Sequence, residues 1–441
     1  MRIDQGCNAG AAELTASLAN ELVSGRGQDQ GLDRPKARAL ISSAAWAGGW
    51  VNKALTAAVL RLASKLRHGH LTLVLPDGSV HRFRGKVKGP AAEVRIHRPA
   101  ALRRLVFGGD IGFAESYMDG HWETPDLHAL MVLAERNQAE LARGLRGAAL
   151  ALWLNRAYHR LRANSRRGSR RNIAYHYDLG NAFYSRWLDP GMTYSSALFE
   201  QSGQSLAEAQ AAKYRRIGEL AGLQPGASVL EIGCGWGGFM EHAAGLGAQV
   251  RGLTLSREQL SYANHRMERL GLAGLAQAEL TDYRDSVGQY DALVSIEMLE
   301  AVGEGNWPRY FQTLRERLKP GAAAVVQVIT IADDRFADYR ARTDFIQRHI
   351  FPGGMLPCPS ALHRQAVAAG LEIDHAETFG SSYARTLAQW RAAFLAAWPE
   401  IQPLGFDERF CRLWEYYLCY CEAGFESGAI DVGIYRFRRA R

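Results

Sequence analysis

The sequence predicts an α/β fold, a mostly parallel sheet with helices on both faces and an antiparallel last strand, preceded by a smaller α+β N-terminal domain. Three observations carry this. From Asn172 onward, apolar runs of strand length alternate with helical periodicity. The first such run ends at Ile232 and opens onto a turn with glycines at 233, 235, 237 and 238, followed at once by a helical pattern. Before Asn172 the order differs, with a helical stretch, two short alternating strands joined by the turn PDGS, then helix again.

Residues 1–35 are rich in Ala, Gly, Gln and Asp, a composition that cannot bury enough apolar surface to order itself. Residues 36–145 read as the α+β domain. Its first helix spans 38–67, with Leu40, Trp46, Trp50, Leu55, Val59, Leu62 and Leu66 at helical spacing. Strands follow at 71–75 and 81–85, then a helical segment from Leu102 to Leu133. Residues 146–171 form an arginine-rich linker, and residues 172–441 the larger domain. Its strands are expected at 227–232, 249–255, 275–280, 290–296, 322–331, 371–377 and 430–437. Helices at 382–397 and 407–426 separate the last two, so the final strand is expected to return as an antiparallel edge.

Composition narrows the class. At 441 residues, 47% of them hydrophobic, the chain has material for two domains. No apolar run approaches the roughly 20 residues of a membrane span. The N-terminal stretch MRIDQGCNAGAAELTAS has an early acid and no apolar core, unlike a signal peptide. The cysteines at 7, 234, 358, 411, 419 and 421 show no zinc or disulfide spacing, which fits reduced thiols in the cytoplasm; no metal site is expected. Cys234, inside the glycine turn, is expected to pack against a cofactor. The net charge of +8 hides a local excess: Ala142 to Tyr177 holds nine arginines and no acid, interleaved with Leu150, Trp153, Leu154, Tyr158 and Leu161. Such a segment can lie on an anionic bilayer, can meet nucleic acid, or can be a solvated connector.

The glycine turn lets backbone approach a nucleoside cofactor where side chains would block it. A nicotinamide site would place a carboxylate at the end of the second strand to hold the ribose. Here that strand ends GLTLS, and the carboxylate, Glu231, instead precedes Gly233 and Gly235, where it can meet a cationic amino-acid group. The polar cluster TDYRD at 281–285 follows the third strand, in position for an adenine. S-adenosylmethionine (AdoMet) fits this arrangement better than NAD.

Further segments occur in a fixed order: HYDLGNAFY at 176–184, MTYSSALF at 192–199, GLTLSREQ at 252–259, SIEMLEAVG at 295–303, IFPGGMLP at 350–357 and SSYARTLAQW at 381–390. With the glycine turn they resemble the cyclopropane-fatty-acyl-phospholipid synthases and mycolic acid cyclopropane synthases, most strongly over 172–441. GDIGFAESYMDGHWETPDL at 109–127 is similar to the N-terminal domain of the longer bacterial members.

The resemblance implies a Rossmann-like, class I AdoMet-dependent methyltransferase sheet. It implies transfer of a methylene group from AdoMet to the cis double bond of an unsaturated phospholipid acyl chain, forming a cyclopropane. It further implies a bicarbonate acting as base, held by Ser196, Glu300, Gln327, Ile329 and Tyr383. Gln327 stands where the family has histidine, and an amide can donate to an anion but cannot titrate. Ser196 replaces a common cysteine, and Ala301 a histidine. Beside Glu231, read above from its position, the cofactor contacts carried over by motif are Tyr194, Ser195, Gly233 and Gly235, with Thr254 and Gln259 near the ribose and Asp282 and Tyr283 near the adenine, while Tyr177 is expected to close over the methionine portion. The aromatics at 175, 177, 183 and 184 are also what a packed helix would display. The segment 333–359 is too long for a connector and is expected to form a lid or acyl pocket.

Expected partners are membrane phospholipids, reached from the cytoplasm by peripheral contact with the anionic inner face; no nucleic acid is expected, and a homodimer stays open. Three alternatives remain, of which a non-enzymatic lipid-binding protein is disfavoured by the intact cofactor motifs. The same methyl transfer could end in a methyl-branched or methylene product. A nucleic-acid methyltransferase would use the arginines on phosphates, but the chain has no N/D-P-P-[YF] motif.

Overall fold

The structure, a computed structural model, describes residues 49–144 and 179–440. The expected disordered N-terminus, the start of the first helix, the boundary near 145, the arginine-rich linker and Tyr177 lie outside them. The described residues fall within one compact unit, Gly49–Arg441.

The N-terminal part holds a four-stranded sheet of β1 (His68–Val74), β2 (Val80–Arg84), β3 (Val87–Ile96) and β4 (Trp122–Glu123), in the order β2-β1-β3-β4. β1 pairs antiparallel with β2 and parallel with β3. The sequence reading finds β1 and β2 and misses β3, because Gly89 and Pro90 read as strand breakers. The glycine is required by close approach: a Cβ at Gly89 would lie 2.9 Å from the Gly69 backbone nitrogen. The single helical segment expected from 102 to 133 is two helices, Ala100–Met118 and Leu127–Arg136, the second capped by the Asp126 side chain accepting from Ala129 N–H. Buried Asn137 ties this layer together, accepting from the amides of Arg67 and His68 and donating to the carbonyls of His68 and Leu133.

The larger sheet has seven strands: β5 (Ser228–Ile232), β6 (Gln249–Thr254), β7 (Ala276–Leu280), β8 (Tyr290–Ile296), β9 (Leu318–Ile331), β10 (Leu371–Thr378) and β11 (Ile430–Arg439). All seven expected strands are present, in the order β10-β11-β9-β8-β5-β6-β7. β9 through β7 run parallel, and β11 is antiparallel to both its neighbours. The last strand is therefore antiparallel as expected, but it is not an edge: it sits between β9 and β10. Burial explains the difference. Val432 to Tyr435 are consecutively buried, so both faces of β11 are covered as in a central strand, whereas β10 (LEIDHAET) exposes every second residue and carries the charges of an edge strand.

Successive residues of β5 divide between two apolar cores. Leu230 and Ile232 join one with Leu293, Trp307 and Phe311; Val229 joins the other with Val250, Val294 and Ile217. Glu231 therefore points to the Val229 side, which the helix Leu206–Ala221 covers. The helix Glu408–Glu426 joins the two parts of the unit: its Glu415 accepts from Tyr117 Oη at 2.7 Å, and its Arg409 pairs with Asp119 at 2.9 Å.

Candidate active site

The carboxyl ends of β5, β6, β8 and β9 converge, the position where open parallel sheets bind ligands. At β5, Glu231 is buried and its Oε2 has no hydrogen-bond partner. Burial pushes its carboxyl up to about 8, and the nearby Lys213 opposes that rise. An unpaired buried carboxylate oxygen is costly unless a cation or donor meets it. Gly233 and Gly235 follow with φ of 85° and 52°. A Cβ at Gly235 would meet nothing within 4 Å, so this bare backbone borders open space. The orphaned carboxylate and the open glycine cradle fit the amino-acid end of AdoMet.

At the end of β6, buried Thr254 donates to Gln259 Oε1 at 2.9 Å, across the first turn of the helix Arg257–Arg269. Beyond β7, Arg284 grips Asp282 through two hydrogen bonds of 2.8 and 2.6 Å. Burial raises the adjacent Tyr283 hydroxyl to about 12. Leu255, Asp282, Tyr283, Met298 and Asn306 line a small cavity here, which takes in the residues expected near the adenine; Thr254 and Gln259, expected near the ribose, are buried beside it at the end of β6. Tyr194 Oη lies 2.8 Å from Tyr417 Oη, among the rings of Tyr184, Trp187 and Trp390. Phe183 and Tyr184 are fully buried in that aromatic cluster, as the packed-helix alternative required. Cys234 does not sit as expected. Its Sγ would lie 3.1 Å from a Cβ at Gly252, so the thiol packs on β6 inside the core, where burial holds its pKa well above the usual range.

Ser195 reveals a residue the sequence reading missed. Its hydroxyl accepts from Lys213 Nζ at 2.7 Å, and that lysine is fully buried. Burial pulls its pKa down to about 7 against the opposing pull of Glu297, Asp189 and Glu231. The signal was available in the helical spacing, since Ala209 and Ile217, four residues to either side, are both core positions.

The residues expected to hold the base are brought together, around a side chain of the chain itself. Glu297 Oε1 accepts from Ser196 N–H at 2.8 Å and from Gln327 Nε2 at 2.7 Å, and its Oε2 accepts from Tyr383 Oη at 2.7 Å. These are three of the groups assigned to bicarbonate by resemblance. Their donors already hold a carboxylate, so a bicarbonate does not fit the cluster as built. Glu297 and Met192 are the two non-glycine residues with positive φ among the described residues, at 49° and 54°. Such a conformation costs on the order of 1–3 kcal/mol and persists where surrounding structure imposes it. Here Glu297 N–H is pinned to Gln327 O at 2.8 Å.

Glu300, three residues on, accepts from Ile329 N–H at 2.5 Å through Oε1, while its Oε2 has no partner. β8 stops pairing at Ile296↔Gln327, which frees the Ile329 amide for this contact. Desolvation pushes the Glu300 carboxyl up to about 8, and the neighbouring Glu297 adds to the rise. Desolvation also raises Glu297, against its three donors. Both residues are partly exposed as a whole, but the Glu300 Oε2 atom itself is closed off from solvent. The signal for Glu297 lay in SIEMLEAVG, where it follows the apolar run DALVSI directly; motif matching led to the second glutamate and passed over the first.

The segment 333–359 folds into the helices Asp333–Arg340 and Phe345–His349 and then returns to this cluster, where Met355 N–H donates to Glu300 O at 2.8 Å. Among the described residues, no group of three or more His, Cys, Asp or Glu could hold a metal, and no helix is long and apolar enough to cross a membrane.

Residues 164–434 match the family described as mycolic acid cyclopropane synthetase. The chain is 41% identical over 397 residues to a tuberculostearic acid methyltransferase of Mycobacterium tuberculosis, covering 86% of this chain and 91% of that protein. It is 36% identical over 353 residues to the cyclopropane-fatty-acyl-phospholipid synthase of Escherichia coli, covering 79% and 88%. The solved structure of the mycolic acid cyclopropane synthase CmaA1, complexed with SAH and CTAB, superposes with a TM-score of 0.58 at 29% identity, covering 61% of this chain and 98% of that one.

Proposed function

The chain belongs to the mycolic acid cyclopropane synthetase family of AdoMet-dependent methyltransferases, and from that premise we propose that it methylates the cis double bond of an unsaturated phospholipid acyl chain. The observation that carries the reading is the carboxylate cluster of Glu297, Glu300, Tyr383, Gln327 and Ser196 beside the crevice rimmed by Glu231 and the glycine turn. Methylation of an alkene needs no nucleophilic side chain, but it does need a base close to the new methyl group and surroundings that exclude water.

When bound, AdoMet supplies an electrophilic sulfonium methyl. Glu231 meets its cationic amino-acid group, Gly233 and Gly235 let the backbone close on it, and Thr254, Gln259, Asp282 and Tyr283 rim the nucleoside. The rings of Tyr194 and Tyr383 both pack on the buried Trp390 near the carboxylates, apolar on their faces and suited to an alkyl chain. The donors that a bicarbonate would need are engaged by Glu297.

Two products share this chemistry. Loss of a proton from the transferred methyl closes a cyclopropane ring directly; if a hydride first shifts from the methylated carbon to its cationic neighbour, the same loss leaves a methylene branch. Cyclopropane formation is the reading the family description favours. The methylene or methyl-branched reading is favoured by the 41% identity to a protein named as a tuberculostearic acid methyltransferase. The arginine stretch between 142 and 177 would bring the crevice to an anionic bilayer from the cytoplasmic side.

Incubating the purified chain with AdoMet and monounsaturated phospholipid vesicles, followed by lipid mass spectrometry and proton NMR, tests the reading. The expected lipid has gained one CH2, with ring protons for a cyclopropane or vinylidene protons for a methylene branch. Methyl transfer to nucleic acid with none to lipid overturns it.

A further inference from the structure

We propose that Glu297 is the general base of this enzyme, its carboxylate doing within the chain what the resemblance assigns to a bound bicarbonate. The inference rests on the acyl methylation proposed above and deepens it.

A glutamate carboxylate and a bicarbonate present the same planar pair of oxygens, so one set of donors can serve either but not both. In this chain the set serves Glu297. Ser196 N–H and Gln327 Nε2 hold one oxygen and Tyr383 Oη the other, and these donors come from three separate parts of the fold. The backbone is bent to make this possible, since Glu297 takes a left-handed φ of 49° immediately after β8. Gln327 suits a resident carboxylate, because its amide donates at every pH and never competes for the proton.

Glu297 rather than Glu300 holds the negative charge. Donors on both oxygens favour its ionised form, whereas Glu300 has one donor and one unpartnered oxygen. Two neighbouring carboxylates titrate as a pair, so one stays protonated while the other is the base. In the reaction, a C–H bond of the transferred methyl breaks. Its electron pair closes the ring, or forms the methylene double bond, at the cationic carbon, and the proton passes to a Glu297 oxygen. The proton then passes to water before the next turnover.

The test uses Glu297→Gly and Glu297→Gln in the full chain. The glycine relieves the positive φ, so this variant is expected to fold, and unchanged AdoMet binding by calorimetry verifies that it has. With unsaturated phospholipid vesicles in buffer stripped of carbon dioxide, wild type is expected to keep its full rate. Both variants are expected to fall by roughly a hundredfold or more. Added bicarbonate should restore Glu297→Gly in part and leave Glu297→Gln inactive, because only the glycine vacates the donors. Independently of turnover, carbon-13 NMR should detect labelled bicarbonate bound to Glu297→Gly and not to wild type. A wild-type rate that collapses without bicarbonate and returns with it overturns the inference while leaving acyl methylation standing, as does full activity of Glu297→Gly without added anion. A wild type that binds AdoMet and methylates no lipid overturns acyl methylation, and the role of Glu297 with it.

Discussion

Tyr383 donates to Glu297 Oε2 at 2.7 Å from a position 86 residues further along the chain, and its ring stacks on Phe425 with centroids 4.4 Å apart. The tyrosine is thus fixed by packing on one side and aimed at the carboxylate on the other.

Tyr383→Phe should keep the stacked ring and lose the donor. Turnover is expected to fall roughly tenfold, the loss of one hydrogen bond to a charged group. AdoMet affinity should not change. Removing a donor from the ionised form raises the Glu297 pKa further, so the acid limb of the kcat profile should move to higher pH, with Glu300 and Lys213 as the other titrating groups facing it. A pH–rate series on both proteins checks this, and an unshifted limb would remove Tyr383 from the base cluster.

Glu300→Gln should change the pH dependence of stability. The folded Glu300 pKa of about 8 lies above its ordinary 4.5, so its contribution is fully present below 4.5 and is lost as pH rises through 8. The amide keeps an oxygen for Ile329 N–H and carries no charge to desolvate. Scanning calorimetry should therefore find the melting temperature of wild type falling more steeply than that of the variant between those limits. Parallel slopes would mean that Glu300 is ionised in the fold at neutral pH.

For cofactor binding, wild type should take up AdoMet in the low-micromolar range, about −8 kcal/mol, and leave NADH unbound. Glu231→Gln should weaken AdoMet roughly tenfold, because the orphaned oxygen then faces the cationic group as a neutral amide. Isothermal calorimetry decides, and tight NADH binding would sink the assignment of the crevice.

Replacing Arg166, Arg167, Arg170 and Arg171 by glutamine should weaken binding to anionic vesicles by roughly 1 kcal/mol for each cation removed at low salt. Wild-type binding should fall as ionic strength rises, and AdoMet affinity should hold. Equal sedimentation of variant and wild type with the vesicles would make the stretch a solvated connector.

All seven strands of the larger sheet were legible in the sequence, because apolar runs such as VLEI and DALVSI announce buried parallel strands on their own. The place of β11 was not: strand order is set by which partners bury Val432 to Tyr435, a relation between distant segments. β3 was hidden by Gly89 and Pro90, whose reason is the close approach of Gly69. The glycine turn, Glu231 and the four groups Ser196, Gln327, Ile329 and Tyr383 could be named from motifs. What they surround could not, since resemblance carries over positions and no motif assigned a role to Glu297, whose carboxylate fills the space between them. Lys213 was concealed by its polar neighbours, although its spacing to Ala209 and Ile217 held the clue.

The insertion of β11 between β9 and β10 has a consequence for assembly. β11 pairs Ile434 with Gln327 and Val432 with Ile329, so the strand that steadies both donors is the last of the sheet to leave the ribosome. Until it arrives, β9 lacks one neighbour and β10 has none in the sheet. The groups that position the base are therefore aligned only once the C-terminal strand has entered the sheet between β9 and β10, so the base site depends on the chain's last strand in a way that the glycine turn after β5 does not.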